Sequence, residues 1–376
     1  MDAALAYPVR VSAGMRDRHI PLSPMSAGDL ERWQELAARA VEPNPFFEPA
    51  FARPAAERLG ERGTSLLVVE DAGGWRACLP VQRAKIARVV PGLRTWRHLY
   101  CFLGTPLLDA EVAVPAARML LDTGVEPGRQ LMLESLYAEG PAAAALCQAT
   151  DDLGLVTVHE RGHDRALLER RERGGYLDGL RSHHWRELNR LGRRLESELG
   201  GPITVSDESS SDAALDRFLE LERSGWKGRE ATALGSSPAH AGFFREVCRA
   251  FAADGRLQLL TLSAAERSVA MKCNLSAGQG AFCFKIAYDE ELARFSPGVQ
   301  LERENVRVFH EARSERWQDS CADAENTMIN RLWPDRRRMR TVVLARRGAL
   351  ATVSRQGIKA AHAVREIERR RSSPRS

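Results

Sequence analysis

Apolar positions along this chain follow two repeats that trade places. Thr64–Glu70, Trp75–Gln82, Gln130–Ser135, Leu257–Leu262, Val269–Leu275 and Gly280–Tyr288 are short apolar or alternating runs, which predict strands. Leu30–Arg39, Ala113–Thr123, Ala142–Leu153, Asp212–Ser224, Pro238–Ala253, Gly298–Ala312 and Glu325–Trp333 carry apolar residues at helical spacing. Trp96–Leu103, Leu155–His159, Ile203–Val205, Trp317–Cys321 and Thr341–Leu344 read as further strands. Asp71-Ala72-Gly73-Gly74 between the first two strands is a hairpin turn. A basic helix over 176–199 has an apolar stripe of Trp185, Leu188, Leu191, Leu195 and Leu199, and Gly200-Gly201-Pro202 stops it. From Ile203 onward the order is β-α-α-β-β-β-α-β-α-β, and the residues before the basic helix run through a similar order. The pattern predicts an α/β fold with a mixed sheet in two units, 1–165 and 166–345, followed by a basic tail, 346–376.

Composition narrows the class. With 376 residues, 44% hydrophobic and 28% charged, the chain reads as a globular protein of two domains. No run has the length of a membrane span, and the first residues lack a signal-peptide pattern, so a cytoplasmic location is expected. The seven cysteines are scattered without a CxxC pair, which argues for reduced thiols, and His183-His184 lack a third ligand, so no metal is expected. The net charge of +5 is uneven. Thirteen of the 55 basic residues and two of the 50 acidic ones fall in 336–376, leaving that stretch at +11 and the remainder at −6. Such a tail suits nucleic acid, an acidic carrier protein or an anionic surface, and equally a solvated end.

The richest chemistry lies between Phe282 and Glu302. A strand-like run ends at Tyr288-Asp289, and Ser296-Pro297-Gly298 then opens a helix. Ser is a good N-cap, Pro fits the first helical position, and Gly admits a ligand close to the backbone. The helix amides and dipole then form an anion site suited to phosphate, with Val299 next in line. An ordinary capped turn has the same pattern. Lys285, within the preceding strand, either snorkels to solvent or meets an anionic ligand. The loop Ser224-Gly225-Trp226-Lys227-Gly228-Arg229 sets an aromatic and two cations between glycines, which suits a substrate-covering loop as well as a helix end. Asp319, Asp323 and Glu325 follow the 317–321 strand, where a carboxylate could take a proton or simply cap the next helix.

The segment Phe284–Leu301, with its aromatic strand, Tyr288-Asp289 and Ser296-Pro297-Gly298, resembles the GNAT-type N-acyltransferases. So do the basic helix around Arg181–Leu195 and the stretch Phe102-Leu103-Gly104-Thr105-Pro106-Leu107. Two such units in tandem look like the Fem-type peptidyltransferases and the FemAB-like (CelD-type) acetyltransferase family. The resemblance implies tandem GNAT-like domains and direct transfer of an acyl group to an amine acceptor. The donor would be acyl-CoA, with an acyl carrier protein as a possible partner. It implies donor contacts at Ser296, Pro297, Gly298, Val299 and Lys285. It also implies catalytic roles for Asp319, Glu325 and Tyr288, and substrate contacts at Trp226, Lys227, Arg229, Asp289 and Asp323. Two departures stand out. The Q/R-x-x-G-x-G/A signature is absent, with Ser-Pro-Gly in its place, and the Lys that relatives carry after the 317–321 strand is missing. An aminoacyl-tRNA donor, as in Fem-type ligases, and a non-catalytic binding protein that kept the fold are the rival expectations.

Overall fold

The computed structural model describes residues 14–60, 63–86, 90–171, 183–230, 233–265, 267–348 and 351–352. The side chains of His183, His184, Trp185, Trp226 and Lys227 lie outside that description, as do the tail beyond 352 and the part of the basic helix before His183. The described residues fold as two compact units: those up to 49, between 63 and 163 and from 338 to 352 form the first, and 50–60 with those between 164 and 337 form the second. The sequence placed the last strand wholly in the second unit and residues 50–60 in the first; the compact units divide otherwise.

The first unit contains β1 (Arg16–Pro21), α1 (Ala27–Arg39), β2 (Thr64–Asp71), β3 (Gly74–Ile86), β4 (Val90–Thr95), β5 (Leu107–Leu108), α3 (Ala113–Gly124), β6 (Gln130–Tyr137) and α4 (Pro141–Asp152). Helix α2 (Pro49–Leu59) lies between α1 and β2 in the chain, and β7 (Val156–Glu169) leads out of the unit. Strands β1 to β4 pair antiparallel in sequence order. Strand β4 then pairs parallel with β6, from Gly92↔Gln130 to Arg94↔Met132. There the pairing ends, and the chain beyond β4 is not the strand expected over Trp96–Leu103. It runs without regular structure alongside β6. Gly104 N–H donates to Ser135 O (3.0 Å), and Thr105 Oγ1 accepts from Tyr137 N–H (3.3 Å). Asn44 Nδ2 holds the carbonyls of Leu103 and Thr105 at 3.2 and 2.8 Å. These bonds satisfy backbone groups that a diverging strand pair leaves open. The Trp96, Tyr100 and Leu103 side chains that suggested a strand are buried without belonging to one.

The second unit repeats the order. It comprises α5 (His183–Leu199), β8 (Ile203–Asp207), α6 (Asp212–Ser224), α7 (Trp226–Arg229), α8 (Pro238–Ala253), β9 (Leu257–Ala264), β10 (Arg267–Ala277), β11 (Gly280–Tyr288), α9 (Pro297–Ala312), β12 (Trp317–Asp319), α10 (Thr327–Leu332) and the start of β13 (Asp335–Ala345). Ser211 caps α6 by accepting from Ala214 N–H. Strands β8 to β11 pair antiparallel, β11 pairs parallel with β12, and β12 pairs antiparallel with the end of β7. On one face Phe284 of β11 packs among Phe51, Phe243 and Phe244, and Phe244 stacks on Phe218 at 4.9 Å. On the other face Leu195 of α5 and Leu301 of α9 meet Leu260, Leu262, Val269 and Phe295. Both faces of the central strands are therefore covered, which is why 280–288 reads as a nearly continuous apolar run.

A Cβ at Gly104 would sit 2.1 Å from the carbonyl oxygen of Glu134, a backbone atom that β6 holds in place. Gly104→Ala should therefore lower the unfolding free energy by about 1–3 kcal/mol through overpacking. Chemical denaturation of the two proteins measures this, and equal midpoints would mean the segment does not lie against β6.

Candidate active site

The parallel pair at the centre of the second unit is very short. It joins Gly280↔Trp317, Ala281↔Gln318 and Phe282↔Asp319, and then stops, because β12 ends while β11 runs on to Tyr288. Past Phe282, β11 is paired only with β10. The register with β10 also shifts at this point: Asn274 faces Cys283 and Cys273 faces Lys285, so Phe284 is an extra residue, a β-bulge. A bulge bends its strand and raises the local twist. Here it turns β11 away from β12 just beyond their last paired residues. The result is a wedge with backbone amides of β11 along one side.

Asp319 fixes the other side of the wedge. Its carboxylate is fully buried and bound by Arg337 (2.9 Å) and Arg165 (3.5 Å), and it accepts the Cys321 N–H at 2.8 Å. Arg337 also lies 4.0 Å above the Trp317 ring. Cys321 has φ 52°, so the chain turns sharply as it leaves β12. Burial raises the Asp319 pKa, but Arg165, Arg337 and the Cys321 amide outweigh it and hold the carboxyl below the usual carboxylate range.

Helix α9 begins at the open end of β11. Ser296, in left-handed conformation (φ 53°), precedes Pro297, and its side chain makes no cap bond. Its carbonyl instead takes both the Val299 and the Gln300 N–H at 3.0 Å. Asp289 caps a 3-10 turn over Glu290–Phe295 by accepting from Glu291 N–H, and Ser296 N–H closes that turn on Ala293 O. The Ser296 and Val299 amides are therefore spent within the turn. Gly298 lies under the Tyr288 ring, where a Cβ would come within 3.3 Å of Cδ1.

Comparison with known proteins completes this geometry. Residues 182–326, from α5 to the turn before α10, match the family model described as acetyltransferase (GNAT) domain. The likeness in fold reaches beyond it. The chain is similar to the C-terminal domain of a putative lysylphosphatidylglycerol synthetase from Agrobacterium fabrum, with TM-score 0.53, 12% identity, and 89% of this chain and 96% of that one covered. It is similar to FemX, with TM-score 0.53, 11% identity, and 84% and 96% covered. A conserved protein of unknown function from Bacteroides thetaiotaomicron gives TM-score 0.52 at 10% identity, with 85% and 98% covered. No curated protein matches the chain. The fold is thus a mixed α/β one shared with these proteins.

Within the second unit the expected site residues separate into groups. Asp319 is not the cleft-facing base expected of it: it is 0% exposed and engaged by two guanidinium groups. Asp323 and Glu325 are exposed on the turn between β12 and α10. Helix α10 starts only at Thr327, capped by Asn326, so neither carboxylate lies in its first turn. Tyr288 is five residues along β11 from Cys283, roughly 16 Å at strand spacing, which sets it at the α9 end of the wedge and away from its apex. Lys285 lies opposite Cys273, whose Sγ meets Cys248 of α8 at 3.8 Å. It is therefore on the α8 face of the sheet and not on the α9 side where a donor contact was expected. Asp289 pairs with Arg267, and Arg229 pairs with Glu290 at 2.6 Å. Arg229, Arg267 and 289–291 line a cavity of about 490 Å³ beside Ser224. Of Ser296, Pro297, Gly298 and Val299, Gly298 lies against the Tyr288 ring, and the Ser296 and Val299 amides bond within the turn.

Sequence reasoning missed the polar network beneath the wedge. Lys272 Nζ and Glu302 Oε2 lie 2.6 Å apart and are almost fully buried. Glu302 Oε1 accepts from Trp333 Nε1 (3.0 Å) and Asn305 Nδ2 (2.9 Å), and Asn305 Oδ1 accepts from Asn274 Nδ2 at 2.9 Å. Burial would lower the Lys272 pKa, yet Cys283 and Glu302 outweigh it and raise it. Burial also pushes the Cys283 thiol up to about 12, so it remains protonated. Glu302 and Asn305, three residues apart on the buried face of α9, were the available signal. Among the described residues no group of His, Cys, Asp and Glu could hold a metal ion, and no helix is long and apolar enough to cross a membrane.

Asp319→Asn should cost about 3 kcal/mol at neutral pH, because it leaves two buried guanidinium groups without a counter-charge. The folded-state pKa of Asp319 lies below its unfolded value, so its stabilisation is complete above the ordinary Asp range and is lost as pH falls through the folded value. The gap between native protein and variant should narrow in the same direction. Urea unfolding across pH measures this, and a pH-independent gap would remove Asp319 from this role.

Proposed function

We propose that the second unit is an N-acyltransferase that passes an acyl group from a carried donor directly to an amine acceptor. The observation that carries this reading is the open stretch of β11 past Phe282, where the ladder to β12 ends and the bulge at Phe284 begins. An acyl carbonyl placed in that wedge meets fixed backbone N–H donors, which favour the oxyanion that forms as the amine attacks. Donor and acceptor held on either side of the wedge are also aligned, so that an otherwise bimolecular step proceeds within one complex. The amine must lose a proton. Asp323 and Glu325, on the exposed turn leaving β12, are the carboxylates we assign to take it, directly or through water. Tyr288 and Gly298 border the handle of the donor at the start of α9, and Arg229 and Asp289 belong to the adjoining cavity.

Acyl-CoA and an acyl carrier protein are the donors we put first, since each offers a thioester on a slender arm that fits a narrow wedge. One observation keeps aminoacyl-tRNA as a second reading: the turn before α9 carries Asp289, Glu290 and Glu291, whose negative charge works against a pyrophosphate there. A donor gripped elsewhere, for instance by the exposed Arg186 and Arg193 of α5, meets no such obstacle.

Incubating the full chain with acetyl- and butyryl-CoA, acyl carrier protein thioesters and aminoacyl-tRNA, each with a panel of amines, separates these readings by intact mass. The reading predicts an amine that gains one acyl mass with at least one thioester donor. Product from aminoacyl-tRNA alone would select the second reading. No product from any donor, with donor binding retained, would mark a binding protein that kept the fold.

A further inference from the structure

The apex of the wedge is apolar. Cys283, the first residue of β11 beyond the paired ladder, belongs to a buried cluster with Val306 and Phe309 of α9 and with Ile329 and Leu332 of α10. Three half-buried side chains pack onto this cluster: Val299 in the first turn of α9, Ala322 three residues past the end of β12, and Met328 in the first turn of α10. They come from the three elements that surround the divergence of β11 and β12, and each keeps part of its surface open. The buried charges near Cys283 are matched internally. Lys272 pairs with Glu302, and Asp319 pairs with Arg165 and Arg337. Asp323 and Glu325 are exposed and stand outside the cluster.

Resting on the reading above, we propose that Val299, Ala322 and Met328 form the seat of the donor's acyl chain. The seat selects an uncharged aliphatic acyl group of a few carbons over an aminoacyl group. An aliphatic chain laid against these side chains leaves water for an apolar surface, which favours binding by about fourfold for each methylene buried. An α-ammonium laid against Val299, Ala322 and Met328 loses water to two aliphatic side chains and a thioether, while Asp323 and Glu325 stand on the exposed turn outside the cluster, so its desolvation at the seat goes uncompensated. Met328 sets the length. Its side chain is flexible and closes the α10 side, so a smaller residue there lengthens the seat.

The test separates the acyl group from its carrier. Full-length protein labelled with 13C at the methionine methyls is titrated with S-acyl-N-acetylcysteamine thioesters: acetyl, propionyl, butyryl, hexanoyl and alanyl. The Met328 methyl signal is assigned by its loss in Met328→Leu. The proposal predicts a shifting Met328 methyl and an affinity that rises about fourfold per carbon from acetyl to butyryl. Propionyl should bind at least tenfold more tightly than its amino counterpart alanyl, and Met328→Ala should move the optimum to hexanoyl. A Met328 methyl that stays still while other methyls respond, a flat chain-length series, or equal binding of alanyl and propionyl would overturn it. Thioester binding at Met328 without acyl transfer in the mass assay would remove the catalytic reading and keep the seat. Transfer with a flat series would do the reverse.

Discussion

The carboxylate of Asp319 sits between two buried guanidinium groups, and that grip fixes where β12 parts from β11. A three-residue strand has little pairing energy of its own. What holds it is the ion-pair set formed with Arg165 at the end of β7 and Arg337 at the start of β13, together with Arg337 lying over Trp317. Removing these charges from water is costly, and only near-complete pairing offsets the cost. The Cys321 amide takes up a carboxylate oxygen, and the left-handed residue that results directs the chain away from the sheet. The bulge at Phe284 bends the opposite strand outward. Neither device alone opens the sheet. Together they leave a run of β11 without a neighbour on that side.

A second set of buried polar groups holds the helix that borders the opening. Lys272 reaches from β10 to Glu302 on α9, Trp333 and Asn305 fill the remaining acceptor sites of Glu302, and Asn274 ties the group back to the sheet. A nonpolar core of the same volume would stabilise α9 at least as well. The network adds direction: its hydrogen bonds form at one rotation and one height of α9 over the sheet, which sets where Gly298 and Val299 stand relative to β11. The first unit shows the alternative outcome of the same order of elements. There β4 and β6 part after three pairs, and the chain's own 103–105 stretch bonds to the β6 side.

The order of elements was legible because burial on both faces leaves long apolar runs and helix starts announce themselves. Gly280–Tyr288 and Pro238–Ala253 coincide with the expected bounds. Helix α2 escaped notice, since Pro49 and Pro54 break the helical pattern although Pro54 is accommodated inside it. Trp96–Leu103 misled because burial, not pairing, explains its apolar content. The site was less legible. Ser296-Pro297-Gly298 does open a helix, as read, but whether its amides are free depends on the Ser296 carbonyl, which no residue type reveals. The register shift at Phe284 is equally silent in sequence, because the run Ala281–Ala287 is apolar apart from Lys285 and no turn residue marks the bulge. It alone moves Lys285 to the α8 face. Asp319 looked like a base because its two arginine partners lie 154 and 18 residues away in the chain.

The central claim is that the free edge of β11 receives the donor carbonyl. Backbone amide shifts of the full chain, recorded with and without a non-hydrolysable thioether analogue of the donor that proves active, test it most directly. The account predicts the largest changes at Cys283, Phe284, Lys285 and Ile286, with the three paired residues Gly280 to Phe282 and the first unit little affected. Changes centred on the first unit, or spread evenly over the second with none at 283–286, would contradict it.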